Sequence, residues 1–344
     1  MIVDRGLATQ EEVDRCLSKR GRAGIFGGRR TFPRVLVDEK AITPNQLVRL
    51  EEVLDNQRSG RTIPGFKMLG KLGKGTTATV YKARQLNLDR LVAVKVLPSA
   101  TLQSSKAVDQ FYFEGRSAAK LNHPNIVQAF DVGHTADFHY FVMEYVEGLT
   151  VHEILGQRGT VEQQEALEIV IAMADALRHA HEKGLVHRDV KPKNIIVDPK
   201  GVPKLADLGL ARVIADREAG LAEKGHALGT PYYISPEQVR GEVEIGPAAD
   251  VYSLGATFYH MVTGMPPFTG VDAREVMNKH LHEKVRPPIE LIATLNPGLS
   301  EVIEKMLAKA PSDRYTDCEL LLADLQAWKA VFTLAKGERE TGRA

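Results

Sequence analysis

The sequence HRDVKPKNIIVD occupies residues 187–198 and places a carboxylate, an ammonium group and a carboxamide at fixed offsets in one loop. Asp189 can orient a hydroxyl nucleophile and accept its proton, and Lys191 can neutralise charge on a phosphoryl group during transfer. The carboxamide oxygen of Asn194 is a suitable Mg²⁺ ligand. The stretch therefore predicts a phosphotransfer centre, although an HRD tripeptide alone is weak evidence, because Arg and Asp often lie together on solvated loops.

Composition limits the kind of protein this can be. The 344 residues are enough for two or three core-forming units. The formal net charge is +1 and 26% of the residues are charged, so we expect no nucleic-acid partner. The two cysteines, Cys16 and Cys318, lie far apart without CxxC spacing, which argues against a disulfide framework and against a structural zinc site.

The sequence gives no indication of a membrane anchor. An uninterrupted apolar run of roughly eighteen residues would be needed for a spanning helix, and even the apolar stretch 166–177 contains Glu168 and Asp175. The acidic N-terminal sequence has no signal-peptide core. We therefore expect a cytoplasmic protein.

Residues 1–57 contain an imperfect internal duplication and predict a small helical module. The first half has Val3, Asp4, Leu7, Thr9 and Val13 where the second has Val37, Asp38, Ala41, Thr43 and Leu47. Each Thr is followed three residues later by Glu12 or Gln46, which is the capping-box arrangement, and Pro44 occupies the favoured first helical position. We expect two short helical hairpins. They resemble small modules found ahead of catalytic domains in some bacterial regulatory and secretion ATPase proteins, and both a stabilising cap and a partner-docking module remain open.

A basic segment lies between the two halves of this duplication. It has the sequence SKRGRAGIFGGRRTFPR at residues 18–34, with no acidic residue. Glycines among arginines are typical of a mobile loop. The segment can bind an acidic partner or simply be a solvated stretch of charge.

A linker at residues 58–65 precedes a change to strand-like composition. Residues 66–72, 79–85 and 91–97 predict consecutive antiparallel strands. The first two flank LGKGTTATV at 72–80, where glycines allow backbone amides to approach phosphate oxygens. A GxG pattern is also a common hairpin turn. A dinucleotide-binding oxidoreductase is disfavoured, because the helix-opening third glycine and a parallel βαβ unit are absent from the pattern.

The third predicted strand carries a lysine among apolar residues. Lys95 ends the sequence VAVK on a strand that we expect to be half buried. A buried lysine needs an anionic partner, and Glu114 in the following helical pattern can provide one, with bound phosphates supplying the rest. An ordinary structural salt bridge is the alternative interpretation.

The chain from residue 66 to 336 resembles a eukaryotic-type protein kinase of the bacterial Ser/Thr class. The resemblance rests on motifs in one order: the glycine loop at 73–80, Lys95, Glu114, HRDVKPKN from His187, Asp207-Leu208-Gly209, Gly229-Thr230-Pro231, Ser235-Pro236-Glu237, Asp250 and Arg314. It implies an α+β, bilobal fold, with a β-rich N-lobe at 66–143, a larger helical C-lobe at 148–336 and Mg-ATP between them. Composition and periodicity alone predict only the α+β class. Residues 337–344 are polar and expected to be disordered.

The resemblance implies a role for each candidate catalytic residue. Lys95 would contact the α- and β-phosphates of ATP and form an ion pair with Glu114. Asp189 would act as the catalytic base and Lys191 would assist it. Thr230 would position both of these side chains.

Metal-binding and structural roles follow from the same resemblance. Asn194 and Asp207 would bind Mg²⁺. Glu237 and Arg314 would form the buried ion pair that anchors the C-lobe. Asp250 would hold the catalytic loop from a neighbouring long helix.

The implied ATP-binding set combines the glycine loop with residues that surround the base. It comprises Leu72, Gly73, Lys74, Gly75, Thr76, Thr77, Ala78, Thr79, Val80, Ala93, Lys95, Met143 at the back of the pocket, Glu144, Val146 and Ile196. Val80 and Ala93 would cover one face of adenine and Ile196 the other, while the backbone of Glu144 and Val146 would contact its edge.

The expected acceptors are protein Ser and Thr hydroxyls. Both Lys191 and the sequence GTPYYISPE at 229–237 match the Ser/Thr pattern of the family rather than the Tyr pattern.

Four positions depart from the family pattern. Ala78 replaces the third loop glycine and loses access to positive φ, so phosphate positioning is expected to be looser. Leu208 replaces the usual Phe with little expected loss, and Ser235 replaces Ala with no expected effect. Gly115 weakens its helix by about 1 kcal/mol relative to Ala and is expected to let that helix swing.

The activation segment from residue 207 to 229 contains no Ser, Thr or Tyr. In the family, the arginine equivalent to Arg188 commonly pairs with a phosphate on this segment. Here Glu218 or Glu223 can take the place of that phosphate. The resulting hypothesis is that the kinase needs no phosphorylation within this stretch.

Three functions from different classes are compatible with the sequence. The first is an active Ser/Thr protein kinase that uses Mg-ATP and protein substrates. The second is a pseudokinase scaffold, which the intact catalytic set disfavours and Ala78 supports. The third makes residues 1–57 an adaptor module for a partner, with the kinase fold as a passenger.

Overall fold

The computed structural model describes residues 8–18, 32–39, 41–43, 46, 63–75, 78–99, 105–207 and 231–341. The chain divides into two compact units. One comprises Met1–Lys74 and Thr79–Leu91, and the other comprises Gly75–Ala78 and Val92–Ala344.

The N-terminal part of the first unit contains helices α1 (Gln10–Ser18) and α2 (Phe32–Asp38). Buried residues of the two helices, together with two residues that follow α2, form one small apolar cluster of Cys16, Val35, Leu36, Ala41 and Ile42. Cys16 is fully buried, so it packs as a small apolar side chain.

Both predicted capping boxes are present in this part of the chain. The Thr9 N–H donates to the Glu12 carboxylate over 2.8 Å, and the Glu12 N–H donates to Thr9 Oγ1 over 3.3 Å. In the second half, the Thr43 N–H donates to Gln46 Oε1 over 2.8 Å, and the Gln46 N–H donates to Thr43 Oγ1 over 3.2 Å. The duplicated pattern therefore produces the same local hydrogen bonds twice.

Helix α2 differs from the prediction for the basic segment. The helix begins at Phe32, so the last three residues of the expected mobile loop are helical. Pro33 is compatible with this, because a helix tolerates proline in its first turn. The remainder of the basic segment, residues 19–31, lies outside the described residues, as do Pro44 and Leu47.

The first unit also contains an antiparallel hairpin of β1 (Phe66–Lys74) and β2 (Thr79–Gln85). Both strands were predicted, and β1 extends to Lys74. The end of the predicted linker belongs to this fold: Ile63 is 2% exposed, and the Leu86 N–H donates to Gly65 O over 2.8 Å. Gly65 has φ +83°, a conformation that favours glycine.

Most of β3 (Arg90–Pro98) belongs to the second unit, where it pairs antiparallel with β5 (Phe138–Glu144), and β5 pairs antiparallel with β4 (Ala129–His134) on its other side. Helix α3 (Ser105–Ala118) precedes β4. Gly115 on α3 approaches Val132 on β4 so closely that an added Cβ would lie 3.2 Å from the Val132 Cβ. This close approach gives a packing reason for the glycine that was expected only to weaken the helix.

The rest of the second unit is mainly helical. After β6 (Leu149–Thr150) come α4 (Val151–Arg158), α5 (Gln163–Glu182), a 3₁₀ turn (Pro192–Asn194), β7 (Ile195–Val197), β8 (Pro203–Leu205), α6 (Pro236–Val239), α7 (Pro247–Thr263), α8 (Ala273–His282), α9 (Pro288–Leu291), α10 (Pro297–Met306), a second 3₁₀ turn (Pro311–Asp313) and α11 (Cys318–Thr341). Strands β6, β7 and β8 pair in that order, all antiparallel. The observed class is α+β, as predicted.

One large apolar core lies among α5, α7, α10 and α11. Helix α7 is buried along nearly its whole length. It ends at Gly264, which adopts φ +78° and whose N–H donates to His260 O.

Helix α11 extends into the tail that was predicted to be disordered. Residues 337–344 were predicted to be disordered, but the helix continues to Thr341. Trp328 packs directly on Gly298 of α10, where an added Cβ would overlap the indole. Among the described residues, no helix has both the length and the apolar character that a membrane span requires.

Candidate active site

The loop that follows α5 is held by the buried carboxylate of Asp250, in the first turn of α7. Its two oxygens accept the backbone N–H groups of His187 over 2.8 Å and Arg188 over 2.7 Å. Asp250 is fully buried. One side chain therefore fixes two consecutive peptide groups immediately before Asp189.

His181, near the end of α5, completes the environment of Asp250. Its Nε2 lies 2.8 Å from Asp250 Oδ2, and this nitrogen must carry the proton because a carboxylate only accepts. Burial alone would raise the pKa of Asp250, but the bond and charge of His181 hold the pKa below its ordinary value. Cys318 Sγ lies 3.8 Å from His181 Nδ1, and burial raises the pKa of this thiol. Sequence reasoning missed His181, since the contact joins residues 69 positions apart.

Asp189, Lys191 and Asn194 form one hydrogen-bonded group. Lys191 Nζ lies 2.8 Å from Asp189 Oδ1 and 2.7 Å from Oδ2. Asn194 Nδ2 donates to the carbonyl of Asp189 over 2.8 Å and to its Oδ2 over 3.0 Å. The Asp189 side chain remains 45% exposed. Two donors therefore orient a carboxylate that is still accessible to another molecule.

A 3₁₀ turn at Pro192–Asn194 fixes the spacing within this group. Pro192 occupies the first position of the turn, and the Asn194 N–H donates to Lys191 O over 2.9 Å. His187 adds a second link, because its Nε2 lies 3.0 Å from Ala206 O and its Nδ1 accepts the Asp189 N–H over 3.2 Å. Pro192 and these bonds therefore fix the shape of the loop.

The β7–β8 hairpin brings Asp207 toward this loop. Ile195 pairs with Leu205, and the Ala206 N–H donates to Asn194 O over 2.8 Å. Asp207 follows directly and has φ 64°. This hydrogen bond ties Asn194, one predicted metal ligand, to the residue directly before Asp207, the other.

Lys95 pairs with Asp207 in this structure. Lys95 is 6% exposed, and its Nζ lies 3.0 Å from Asp207 Oδ1. Burial alone would raise the pKa of Asp207, but the charge and hydrogen bond of Lys95 hold it below the ordinary value. Lys95 was predicted to pair with Glu114; the backbone of Glu114 lies in α3, and its side chain lies outside the described residues.

Part of the predicted adenine set lies together on β3 and β5. Ala93 pairs with Met143, and both are buried. The Glu144 N–H donates to Gln128 O over 2.8 Å, and the Glu144 carboxylate lies 2.9 Å from Lys204 Nζ. Lys204 was not predicted, and its neighbour in the sheet register is Ile196 on β7. Val146 follows β5 and is partly buried.

The glycine loop is described on both sides of Thr76 and Thr77, which lie outside the described residues. In the first unit, Gly73 pairs with Val80 and Lys74 with Thr79, and Leu72 is exposed. An added Cβ on Gly73 would meet no atom within 4 Å. In the second unit, the Gly75 N–H donates to Ala78 O over 2.8 Å. Ala78 is not among the described residues with positive φ, so its backbone conformation suits alanine.

Glu237 and Arg314 form a buried two-bond ion pair. Arg314 Nη1 lies 2.8 Å from Glu237 Oε1, and Nη2 lies 2.9 Å from Oε2. The remaining guanidinium donors bind the carbonyls of Ala248, Ala308 and Lys309. The charge pair is therefore fully hydrogen-bonded, which a buried pair requires.

Four other residues singled out in the sequence lie outside the described residues: Thr230, Leu208, Glu218 and Glu223.

Comparisons with known proteins agree on one family. The family model described as "Protein kinase domain" matches residues 66–325. A probable serine/threonine-protein kinase of Clostridium perfringens is 38% identical over 264 residues, which are 77% of this chain and 38% of that protein. The serine/threonine-protein kinase PknB of Mycolicibacterium smegmatis is 39% identical over 258 residues, which are 74% of this chain and 41% of that protein. The chain thus spans about two fifths of the length of these relatives.

Solved structures show the same likeness. The crystal structure of the Mycobacterium tuberculosis PknI kinase domain matches with a TM-score of 0.63 at 28% sequence identity. The match covers 78% of this chain and 98% of the PknI chain.

Proposed function

Because the chain belongs to the protein kinase family, we propose that it is a Ser/Thr protein kinase that transfers the γ-phosphoryl group of ATP to protein hydroxyl groups. The proposal rests mainly on the accessibility and the orientation of the Asp189 carboxylate. This carboxylate is accessible, is oriented by Lys191 and Asn194, and follows two peptide groups fixed by Asp250.

We assign the proton transfer to Asp189. A Ser or Thr hydroxyl oxygen attacks the γ-phosphorus, the bond from that phosphorus to the β–γ bridging oxygen breaks, and ADP leaves. The hydroxyl proton passes to Asp189. Lys191 lies within 3 Å of this carboxylate, so its ammonium group can neutralise charge on the phosphoryl oxygens during transfer.

Asn194 and Asp207 have the chemistry that Mg²⁺ prefers. The Asn194 amide nitrogen donates to Asp189, so its oxygen is directed elsewhere as a ligand. Asp207 is anionic, because its pKa is held low by Lys95 despite burial. Hard oxygen ligands of this kind suit Mg²⁺. The bound ion would neutralise the β- and γ-phosphates.

The nucleotide would be bound by the glycine loop and by residues around the base. Gly73 has open space at its missing Cβ, so protein packing does not explain a glycine here, whereas approach of a phosphate does. Lys95 would exchange its bond to Asp207 for contacts with the α- and β-phosphates and with Glu114. The Glu144 N–H is already bonded, so we assign the adenine edge to the Glu144 carbonyl and the Val146 backbone.

The wider biological setting is part of the same proposal. We propose bacterial signalling in the cytoplasm, with Ser and Thr of protein substrates as acceptors and with residues 1–57 as a regulatory module for a partner. Thr230 would position Asp189 and Lys191. Activity would not depend on phosphorylation between residues 207 and 229, which contain no hydroxyl residue.

Transfer of radiolabelled γ-phosphate from Mg-ATP to a generic basic protein tests the proposal. We expect label on Ser or Thr with the unmodified chain and none with Asp189→Asn. Mg-ATP binding should be retained in that variant, because Asp189 carries no nucleotide-binding role. Binding of Mg-ATP by the unmodified chain without any transfer would overturn the proposal and favour the pseudokinase scaffold.

A further inference from the structure

A partly buried hydrogen-bond relay of Ser235, Gln238 and Arg188 joins α6 to the catalytic loop. Gln238, the third residue of α6, donates from Nε2 to the carbonyl of Arg188 over 2.8 Å. Its Oε1 accepts the Ser235 N–H over 3.2 Å and the Ser235 hydroxyl over 3.0 Å. Ser235 is fully buried.

The partners of Gln238 fix which way its amide points. The Ser235 N–H and hydroxyl face the Gln238 oxygen, and the Arg188 carbonyl faces its nitrogen. If the amide were reversed, its NH₂ group would face the two Ser235 donors and its oxygen would face the Arg188 carbonyl oxygen. The Ser235 hydroxyl supplies one of these donors, which an alanine would lack. Ser235 was expected to be neutral from the sequence alone, and the structure gives it a role in orienting this amide.

Arg188 is a residue whose backbone needs such support. Its φ is 63°, in the left-handed region that non-glycine residues adopt only when their surroundings compensate. Asp250 holds the Arg188 N–H, and Gln238 holds its carbonyl. The peptide group that contains this carbonyl continues into Asp189, so the two contacts together set the direction in which the Asp189 side chain leaves the backbone.

We infer that Gln238 is a positioning residue for Asp189 and that Ser235 fixes the amide orientation through which Gln238 acts. The inference rests on the proposed phosphotransfer function. On this inference, the segment after Pro231, which the sequence pattern associates with protein acceptors, influences the orientation of the Asp189 carboxylate.

The test uses three substitutions in the full chain: Gln238→Leu, Gln238→Glu and Ser235→Ala. Gln238→Leu removes the bond to Arg188 and should lower kcat by roughly tenfold, the value of one good hydrogen bond. Gln238→Glu places a carboxylate oxygen against the Arg188 carbonyl and should lower kcat further. Ser235→Ala leaves the Ser235 N–H in place and should lower kcat by roughly threefold. The KM values for ATP and for the basic protein should change less than about twofold, because the relay contacts neither substrate.

The pH profile separates positioning from simple destabilisation. A protonated carboxyl group in Gln238→Glu can again donate to the Arg188 carbonyl. The ratio of its kcat to that of the unmodified chain should therefore rise as the pH is lowered from 8 to 6. A variant that was merely less stable would show a flat or falling ratio.

Glu153 provides a matched control. It is the third residue of α4 and forms the same kind of box with Thr150, whose N–H donates to the Glu153 carboxylate over 2.7 Å. This box has no described bond to the catalytic loop, so Glu153→Ala should leave kcat unchanged within about twofold.

The outcomes separate the inference from the proposed function. If the unmodified chain transfers no phosphoryl group, both the proposed function and the inference are overturned. An active unmodified chain with normal kcat in Gln238→Leu and Ser235→Ala overturns the inference alone. A kcat loss in Glu153→Ala equal to that in Gln238→Leu also overturns it. If Gln238→Leu does not fold, two measurements still test the inference. They are the kcat of Ser235→Ala and the pH dependence of the kcat of Gln238→Glu relative to that of the unmodified chain.

Discussion

The loop at residues 187–194 and the N-terminal helical segment are both held by short hydrogen bonds, but the bonds of the loop to Asp250 are buried or partly buried and those of the segment are exposed. Asp250 accepts its bonds at full burial, whereas the capping boxes at Thr9 and Thr43 lie at the surface. A surface bond exchanges readily with water, and a buried bond leaves an unsatisfied group when it is lost. The same bond geometry therefore predicts large effects in one region and small ones in the other.

The largest effect is expected at the buried ion pair. Glu237→Ala leaves the Arg314 charge buried without its partner and should lower the free energy of unfolding by about 3–5 kcal/mol. Chemical denaturation measures this directly. The exposed pair of Arg286 with Glu290 is the matched control, and Glu290→Ala should cost about 0.5 kcal/mol or less. Equal losses in the two variants would remove burial as the cause of the difference.

The next effect is expected at Asp250. Asp250→Asn replaces one acceptor oxygen by a donor that faces an existing donor, and should cost about 2–3 kcal/mol. Hydrogen exchange should accelerate at whichever of the His187 and Arg188 amides faces the new NH₂ group, because that amide loses its acceptor. Unchanged protection of both amides would show that other contacts hold the loop.

Low pH should destabilise the buried region through its histidines. The N-terminal segment should not respond in this way, because residues 1–62 contain no histidine. Burial lowers the pKa of His260 to about 4 and that of His280 to about 3. Both remain neutral in the folded chain while the unfolded chain binds protons below about pH 6.5. Stability from these groups is therefore complete above pH 6.5 and is lost as the pH falls from 6.5 toward 4 for His260 and toward 3 for His280.

For His260, which is partly exposed, this acid loss should amount to about 1–2 kcal/mol. His260→Gln should flatten the pH dependence of the unfolding free energy in that window. Its bond to the Tyr233 hydroxyl, 2.7 Å from Nδ1, makes Tyr233→Phe a useful control, because this variant loses the bond and keeps the titrating ring. A profile of His260→Gln as steep as that of the unmodified chain would contradict the assignment.

The smallest effect is expected in the N-terminal segment. Thr9→Ala removes one capping box and should lower the local stability of α1 by about 0.5–1 kcal/mol. Hydrogen exchange should quicken in the first turn of α1 and remain unchanged at the amides of His187 and Arg188. Thr43→Ala should behave alike in the second half of the duplication. A larger loss than in Asp250→Asn would reverse the contrast between the two regions.

The sequence by itself determined the features that depend on neighbours along the chain. Strand-like composition and short spacing predicted β1 and β2. A Thr followed three residues later by Glu or Gln predicted both N-terminal capping boxes, because these bonds span one helical turn. The spacing of Asp189, Lys191 and Asn194 also predicted their grouping, since a single 3₁₀ turn joins them. Family resemblance extended this local chemistry to a protein kinase fold.

Only the tertiary structure decided the contacts that join distant residues. The bond of His181 to Asp250, the relay from Gln238 to Arg188 and the ion pair of Lys95 with Asp207 connect separate elements. No local pattern encodes such contacts, because they depend on how the elements pack. Packing also determined that Gly115 permits close approach to β4 and that the last helix continues past residue 337.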